Sequence, residues 1–348
     1  MLDLIYFRIV KAAVLIKHGK AKDAFEIRNI DAPKPKDHEA LVDVEAFGLN
    51  YADVMARNGL YREAPPLPSI LGYDFVGRVK SCKDQSFKHL IGKRVVGLSR
   101  FGAYAEQVVT NPLALAPVSE DVSPVIATAL GTQYLTAYHA ACQITNLNQG
   151  ERVLIHAAAG GVGTALTQIA LWKGCEVFGS AGSEEKMSYL REQGVHHPIN
   201  YKASDYAQQI RKILGEKSID VSFNPIAGRT FKKDLKLIGS GGRLVLFGAA
   251  ERSGMNGLFA TYRFLARMGL LIPIVLMAKS RSILGVNMLK VADHKPEVVQ
   301  HAMDALISLL EQGIINPQIG GKYHVNDLAL AHQLLEDGKT TGKLSVLW

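Results

Sequence analysis

The chain has 348 residues, 48% hydrophobic and 21% charged, which suits about two globular domains and excludes a disordered polypeptide. Its formal charge of +8 favours anionic partners, but its basic clusters ("KAKD", "GKR", "FKKDLK") are short and read as solvated surface. The three cysteines, Cys82, Cys142 and Cys175, are far apart with no C-x-x-C, which excludes a cysteine-rich zinc site and a disulfide framework and suits a reducing cytosol.

The opening stretch "MLDLIYFRIVKAAVLIKHGK" is broken by Arg8, Lys11 and Lys17 and lacks the order of a secretory signal, so a cytoplasmic chain is expected. Residues 10 to 125 read as short strands and turns. "LVDVEAFGL" alternates, "NYADVMARNG" turns helical, and "GYDFVGRVK", "KRVVGLSR" and "YAEQVVT" follow as strands, the pattern of a β-rich, barrel-like domain. From about residue 126 the rhythm changes. "SPVIATALGTQYLTAYHAAC" reads as helix. The strands "ERVLIHA", "CEVFGSA", "HHPINY", "SIDVSFNPI" and "GRLVLFGAA" then alternate with helical segments such as "SEEKMSYLREQG", predicting βαβ units and a parallel sheet.

In the apolar region 257 to 280 the longest uncharged part runs from Met268 to Ala278, too short for a spanning helix, so no transmembrane segment is expected. Past residue 290, "PEVVQHAMDALISLLEQG" is an amphipathic helix with Val299, Met303, Leu306 and Leu310 on one face. "GKLSVLW" closes the chain as a strand. The predicted organisation is an α/β domain over 126–292 inserted into a β-rich domain made of 1–125 and 293–348.

"HAAAGGVGTAL" (156–166) stands where the strand "RVLI" hands over to a helix. Ala158-x-Gly160-x-x-Gly163 is the dinucleotide fingerprint with alanine at its first position. Small residues there let the backbone turn, a phosphate reach the main chain and the helix pack close to the strand. The helix N-terminus adds unpaired N–H groups and positive dipole, so Gly161 and Val162 join the candidate phosphate-binding set. A site for NAD usually ends the second strand with an acid. Here "VFGSAGSEEK" has Ser180 in that region and no acid before Glu184, while Lys186 follows as a candidate partner for a 2′-phosphate, favouring NADPH.

The segments "GLNYADVMARNGLY", "PPLPSILGYDFVGRV", "HAAAGGVGTALTQIA", "HHPINYKASDY" and "KTTGKLSVL" occur in order along almost the whole chain. On them the sequence resembles the medium-chain dehydrogenase/reductase superfamily, within it the zinc-lacking quinone oxidoreductases, and most of all the vesicle amine transport protein group. The resemblance implies a Rossmann domain, a doubly wound parallel sheet, inserted into a GroES-like barrel domain. Zinc-dependent relatives carry Cys at the position of Asn50, Gly-His-Glu at Gly72 to Asp74 and a four-cysteine structural lobe that this sequence lacks, so neither catalytic nor structural zinc is expected. The resemblance also implies that Asn50, Thr132 and the Phe247–Gly248 turn flank the nicotinamide. Lys186, Tyr201 and Lys339 would hold the 2′-phosphate.

The expected chemistry is hydride transfer from NADPH to a quinone or activated alkene held between the domains, with the cofactor supplying the reactive hydride. Asn50, Tyr51, Tyr61 and Tyr73 are the candidate donors to the developing oxyanion, Tyr61 preferred. A quinone needs no dedicated acid, since water can supply the proton. Two other readings are an NADPH-binding scaffold at membranes or with protein partners, and a single-stranded RNA binder. The second lacks an aromatic-basic platform, so no nucleic acid is expected. A homodimer is implied only by resemblance, through the edge strand near "SILGVNML". His156 is expected to be a packed, hydrogen-bonded residue.

Overall fold

The computed structural model describes residues 9–252 and 257–348. Residues 1–8 of the opening stretch and residues 253–256 lie outside the described residues. Two compact units are formed. One comprises the described residues through Leu135 with Leu289–Ser308 and Pro317–Trp348; the other comprises Thr136–Met288 with Leu309–Asn316.

The first unit begins with β1 (Ile9–Leu15), β2 (Phe25–Asp31), β3 (Ala40–Leu49), β4 (Ser69–Ile70), β5 (Asp74–Cys82), β6 (Arg94–Leu98), β7 (Gln107–Thr110) and β8 (Leu115–Pro117). Strand β3 organises the unit. Its register slips twice against β5, between Leu41 and Val42 and between Val44 and Ala46. Such bulges re-aim a strand, and β3 also pairs with β7 over its first half. Phe47, Leu49, Phe75, Val95 and Tyr104 are buried in the core beneath it. The helix Tyr51–Arg57 follows β3 directly, with Asn50 as its N-cap.

In the second unit β9 (Arg152–Ile155), β10 (Glu176–Ala181), β11 (His197–Asn200), β12 (Ile219–Asn224), β13 (Ile238–Leu246) and β14 (Ser282–Gly285) make one sheet. Its order is β11-β10-β9-β12-β13-β14 and every pairing is parallel. This is the doubly wound order of dinucleotide-binding sheets. The chain then returns to the first unit through β15 (Ile319–His324) and β16 (Lys343–Leu347), and β16 lies antiparallel to the end of β3.

Three elements differ in detail from the sequence expectation. Residues 124–144 are not one regular helix: π-helical turns occupy Leu130–Tyr134 and His139–Ile144. In the helix Pro296–Glu311 the buried stripe is Val299, Ala302, Met303, Leu306 and Leu309, with Leu310 only half-buried. The apolar segment after residue 257 forms two helices, Leu258–Met268 and Pro273–Lys279.

Candidate active site

Of the residues singled out for the nucleotide, Ala158, Gly160, Gly161, Val162, Gly163, Ser180, Lys186, Tyr201, Phe247 and Gly248 belong to the unit of the parallel sheet and stand at or after the carboxyl ends of its strands, the edge where such sheets bind ligands, whereas Thr132 and Lys339 belong to the other unit. After β9 the chain turns through Ala157, which takes a left-handed φ of 50°. Gly160 is the N-cap of the helix Gly161–Trp172, and no side chain among the described residues caps the helix. The first N–H groups, on Gly161, Val162 and Gly163, therefore have no side-chain partner from the cap, the kind of helix start that can bind an anion. A Cβ on Gly163 would stand 2.3 Å from the Ala157 carbonyl oxygen and 2.6 Å from Ala158 Cα, so only glycine permits this approach of helix to turn. Ala158 N–H donates to the Ser180 carbonyl at 3.0 Å, tying the turn to the end of β10.

Ser180 itself is buried and its hydroxyl is 3.2 Å from His156 Nδ1. His156 Nε2 lies 3.0 Å from both Asp234 carboxylate oxygens. Asp234 also accepts from Tyr206, Ser222 and Asn224. His156 is thus the packed, bonded residue expected, and it belongs to a buried network that fixes the ends of β9, β10 and β12 from below. At the end of β11, Tyr201 covers Gly182: a Cβ there would meet the Tyr201 hydroxyl at 2.5 Å. Lys186 is half-buried, and burial, with Lys202 nearby, lowers its pKa. Lys202 is a cation that the sequence reading did not single out. Phe247 and Gly248 follow β13, with Phe247 N–H donating to the Asn224 carbonyl.

In the barrel unit, Asn50 sits at the junction of β3 and its helix. Its backbone N–H donates to Asp53 Oδ2 at 2.9 Å, as in a capping box. Its side-chain Nδ2 donates to Asp74 Oδ2 at 3.2 Å, and its Oδ1 accepts from Lys343 Nζ at 3.1 Å. Lys343 and Asp74 form an ion pair at 2.6 Å with side chains 1% and 0% exposed. Asp53 is fully buried. Desolvation raises its carboxyl pKa to about 7, helped by Asp74 and opposed by the N–H groups of Asn50 and Gly72 and by Lys343.

Tyr73 is buried and Tyr61 half-buried, their rings edge-on at 6.3 Å. Burial, reinforced by nearby carboxylates, raises both hydroxyls, keeping them proton donors. Tyr51 opens the helix and is half-buried. Thr132 lies in the first π-helical turn, and its hydroxyl is buried with no partner among the described residues. Gly131 lets that turn close in: a Cβ would stand 2.7 Å from Asp74 Cβ. Lys339 also belongs to the barrel unit, where it pairs with Asp337 at 3.0 Å.

Sequence reasoning did not foresee Asp53, Lys343 or Tyr104 as site residues. Tyr104 is buried beside Asp53 and lies 3.1 Å from His332 Nε2 through its hydroxyl. Asn50 and Asp53 stand three apart at a helix start, a readable capping signal. Lys343 carried no such signal, because its partners Asp74 and Asn50 lie 269 and 293 residues away and a lysine in a terminal strand reads as solvent-facing.

A glycine-turned helix on a doubly wound sheet, joined in one chain to a β-barrel unit, defines a two-domain dinucleotide-binding protein. Comparison with known proteins agrees. Residues 36–120 match the alcohol dehydrogenase GroES-like domain and residues 161–308 match the zinc-binding dehydrogenase family. Human quinone oxidoreductase is 32% identical over 343 residues, 98% of each chain. The human synaptic vesicle membrane protein VAT-1 homolog is 32% identical, over 94% of this chain and 83% of that one. The structure of Escherichia coli quinone oxidoreductase complexed with NADPH superposes with a TM-score of 0.84 at 26% identity, covering 97% of this chain and all of that one. The chain belongs to the medium-chain dehydrogenase/reductase family, in its quinone-oxidoreductase-like branch, close to VAT-1, and is an oxidoreductase.

Proposed function

We propose that the protein is an NADPH-dependent, zinc-independent reductase of quinones or activated alkenes. The observation that carries this reading is the helix N-terminus at Gly160, with no side-chain cap among the described residues, followed by a β10 whose last residues, Ser180 and Ala181, include no acid. Gly161, Val162 and Gly163 would offer main-chain N–H groups to the pyrophosphate. Lys186, Tyr201 and Lys202 would hold the 2′-phosphate, with Lys339 as the further candidate. Thr132, Phe247 and Gly248 would face the nicotinamide, and the Thr132 hydroxyl, buried without a partner among the described residues, supports a polar ligand at Thr132. NADPH, when bound, supplies the hydride and is oxidised to NADP⁺.

The remaining work falls to the chain's own groups. Asn50 and Tyr61, with Tyr51 and Tyr73 as further candidates, would donate to the oxygen that gains negative charge. Preorganised donors of this kind are effective because they need not reorient as charge develops. The donor set does not suit zinc, which prefers thiolate and imidazole: Asn50 and Tyr73 offer neither, and Asp74 is already paired with the Lys343 ammonium. The test is nicotinamide absorbance against a panel of quinones and enones. Consumption of NADPH that survives exhaustive chelation, and that drops in Asn50→Ala, supports the reading; activity restored only by added zinc refutes it.

A second reading is peripheral membrane association, favoured by one observation. Phe259, Tyr262, Leu265, Leu270, Ile274 and Met277 on the two helices after residue 257 are exposed. Arg263 and Lys279 are exposed on the same two helices and Lys232 lies beside Gly269, and apolar-basic surfaces of this kind bind anionic lipid. Pelleting with anionic vesicles at low salt decides it: protein left in the supernatant removes the idea.

A further inference from the structure

The ring of contacts among Lys343, Asp74 and Asn50 is closed. Lys343 Nζ donates to both partners, and Asn50 Nδ2 donates to the same Asp74 oxygen that accepts from Lys343. A carboxamide has nearly the same shape when turned over. Here the two orientations are not equivalent. Turning Asn50 over would set its NH₂ against an ammonium and its carbonyl against a carboxylate. Lys343 therefore reads the oxygen end of the amide, and Asp74 reads the nitrogen end.

This has a consequence for the amide's donors. One N–H of Nδ2 is spent on Asp74, and the other has no acceptor among the described residues. Asn50 is itself 5% exposed, so it cannot rotate freely into water to make the choice. A buried ion pair is an expensive way to hold two strands together, because apolar residues of similar volume commonly do so as well or better. The chain nevertheless shapes its backbone around this one, with glycine at positions 48 and 131 where any side chain would strike Lys343 or Asp74.

We propose that Lys343 is a positioning residue for the reduction: it locks the Asn50 carboxamide so that the free N–H, and not the carbonyl, meets the acceptor oxygen. This rests on the reductase reading above. The acceptor takes two electrons and one hydrogen as hydride, its carbonyl oxygen becomes the anion that Asn50 binds, and water then supplies the proton. An inverted Asn50 would present a carbonyl oxygen to that anion and oppose the step.

The test compares Asn50→Ala, Lys343→Met, their double variant, and Lys343→Met/Asp74→Leu, which replaces the ion pair by apolar residues and leaves no unpaired buried carboxylate. In the ligand-free protein labelled with ¹⁵N-asparagine, the Asn50 side-chain signals are those lost in Asn50→Ala. They should be two distinct, slowly exchanging protons in the parent and should average or exchange rapidly once Lys343 is replaced. NADPH affinity by fluorescence should stay within about twofold, since Lys343 is not among the residues proposed to hold the cofactor. The turnover number should fall by roughly 100-fold in Lys343→Met, in the apolar pair and in Asn50→Ala, the scale of losing one oxyanion donor. The Lys343→Met/Asn50→Ala double variant should lose no more than Asn50→Ala alone, the mark of residues acting through one another. Additive losses, or an unchanged Asn50 amide in Lys343→Met, would overturn the proposal. Full turnover by Asn50→Ala would instead overturn the role given to Asn50 in the reductase reading, and the proposal with it.

Discussion

The Lys343 side chain lies in the space that Gly48 leaves open: a Cβ on Gly48 would stand 2.2 Å from Lys343 Cε and 2.4 Å from Asp74 Oδ1. Gly48 needs no unusual backbone angle. It is there for room. Gly48→Ala should therefore destabilise the protein by about 1–3 kcal/mol, the usual cost of overpacking a closed site. Urea unfolding would show it as a lower midpoint at unchanged slope. A midpoint equal to the parent's would mean that Lys343 moves aside without cost.

Asp53 makes stability depend on pH in an unusual direction. Burial lifts its carboxyl from 3.8 to about 7. Between those values the folded chain keeps a proton that the unfolded chain releases, so raising the pH favours unfolding. The penalty grows from about pH 4 to about pH 7, is constant above that, and amounts to roughly 4 kcal/mol at most. Asp53→Asn should flatten this part of the stability profile. Urea midpoints at about pH 5 and about pH 8 measure it; equal pH dependence in parent and variant contradicts the assignment.

The two glycines of the turn should behave differently. A Cβ on Gly163 would strike backbone at 2.3 Å, whereas on Gly160 the nearest atom is the Ala157 oxygen at 3.2 Å, and Gly160 has φ of −82°, which alanine accepts. Gly163→Ala should lower the unfolding temperature by several degrees, as a loss of about 1–3 kcal/mol requires, and should abolish detectable NADPH binding. Gly160→Ala should fold like the parent and bind more weakly. Fluorescence titration beside thermal unfolding would reveal any reversal of that order.

Lys186 should set the preference between the two nicotinamide cofactors. A charge-assisted bond to a phosphate is worth about 1.5–3 kcal/mol, so Lys186→Ala should weaken NADPH binding by roughly 10- to 100-fold and leave NADH binding within about twofold. Lys202→Ala should act in the same direction with a smaller effect. Equal weakening of both cofactors would place Lys186 in the fold and not at the phosphate.

The second unit was legible because its grammar is local. Each strand ends at a turn and each helix begins at one, and the alternation of strands and helices alone implies parallel pairing. The glycine turn could be read because the requirement for small residues is itself a property of a short stretch. The barrel unit was less transparent. The two register slips in β3 depend on its neighbours, and nothing in "LVDVEAFGL" announces them. The π-helical turn at Gly131 follows from its approach to Asp74, which is more than fifty residues earlier in the chain. Lys343 was the hardest residue to see. Its role depends on β16 pairing with β3, which sets Leu344 against Leu49 and carries the lysine to Asn50. A buried cation is recognised by its partners, and these are distant in sequence.

The most direct measurement is a fluorescence titration of the purified protein with NADPH and with NADH, followed by addition of quinones and enones to the bound complex. The account predicts tight NADPH binding, weaker NADH binding and consumption of NADPH with at least one acceptor. Binding of neither cofactor would mean that the glycines of "HAAAGGVG" serve only a turn, and would contradict the central claim.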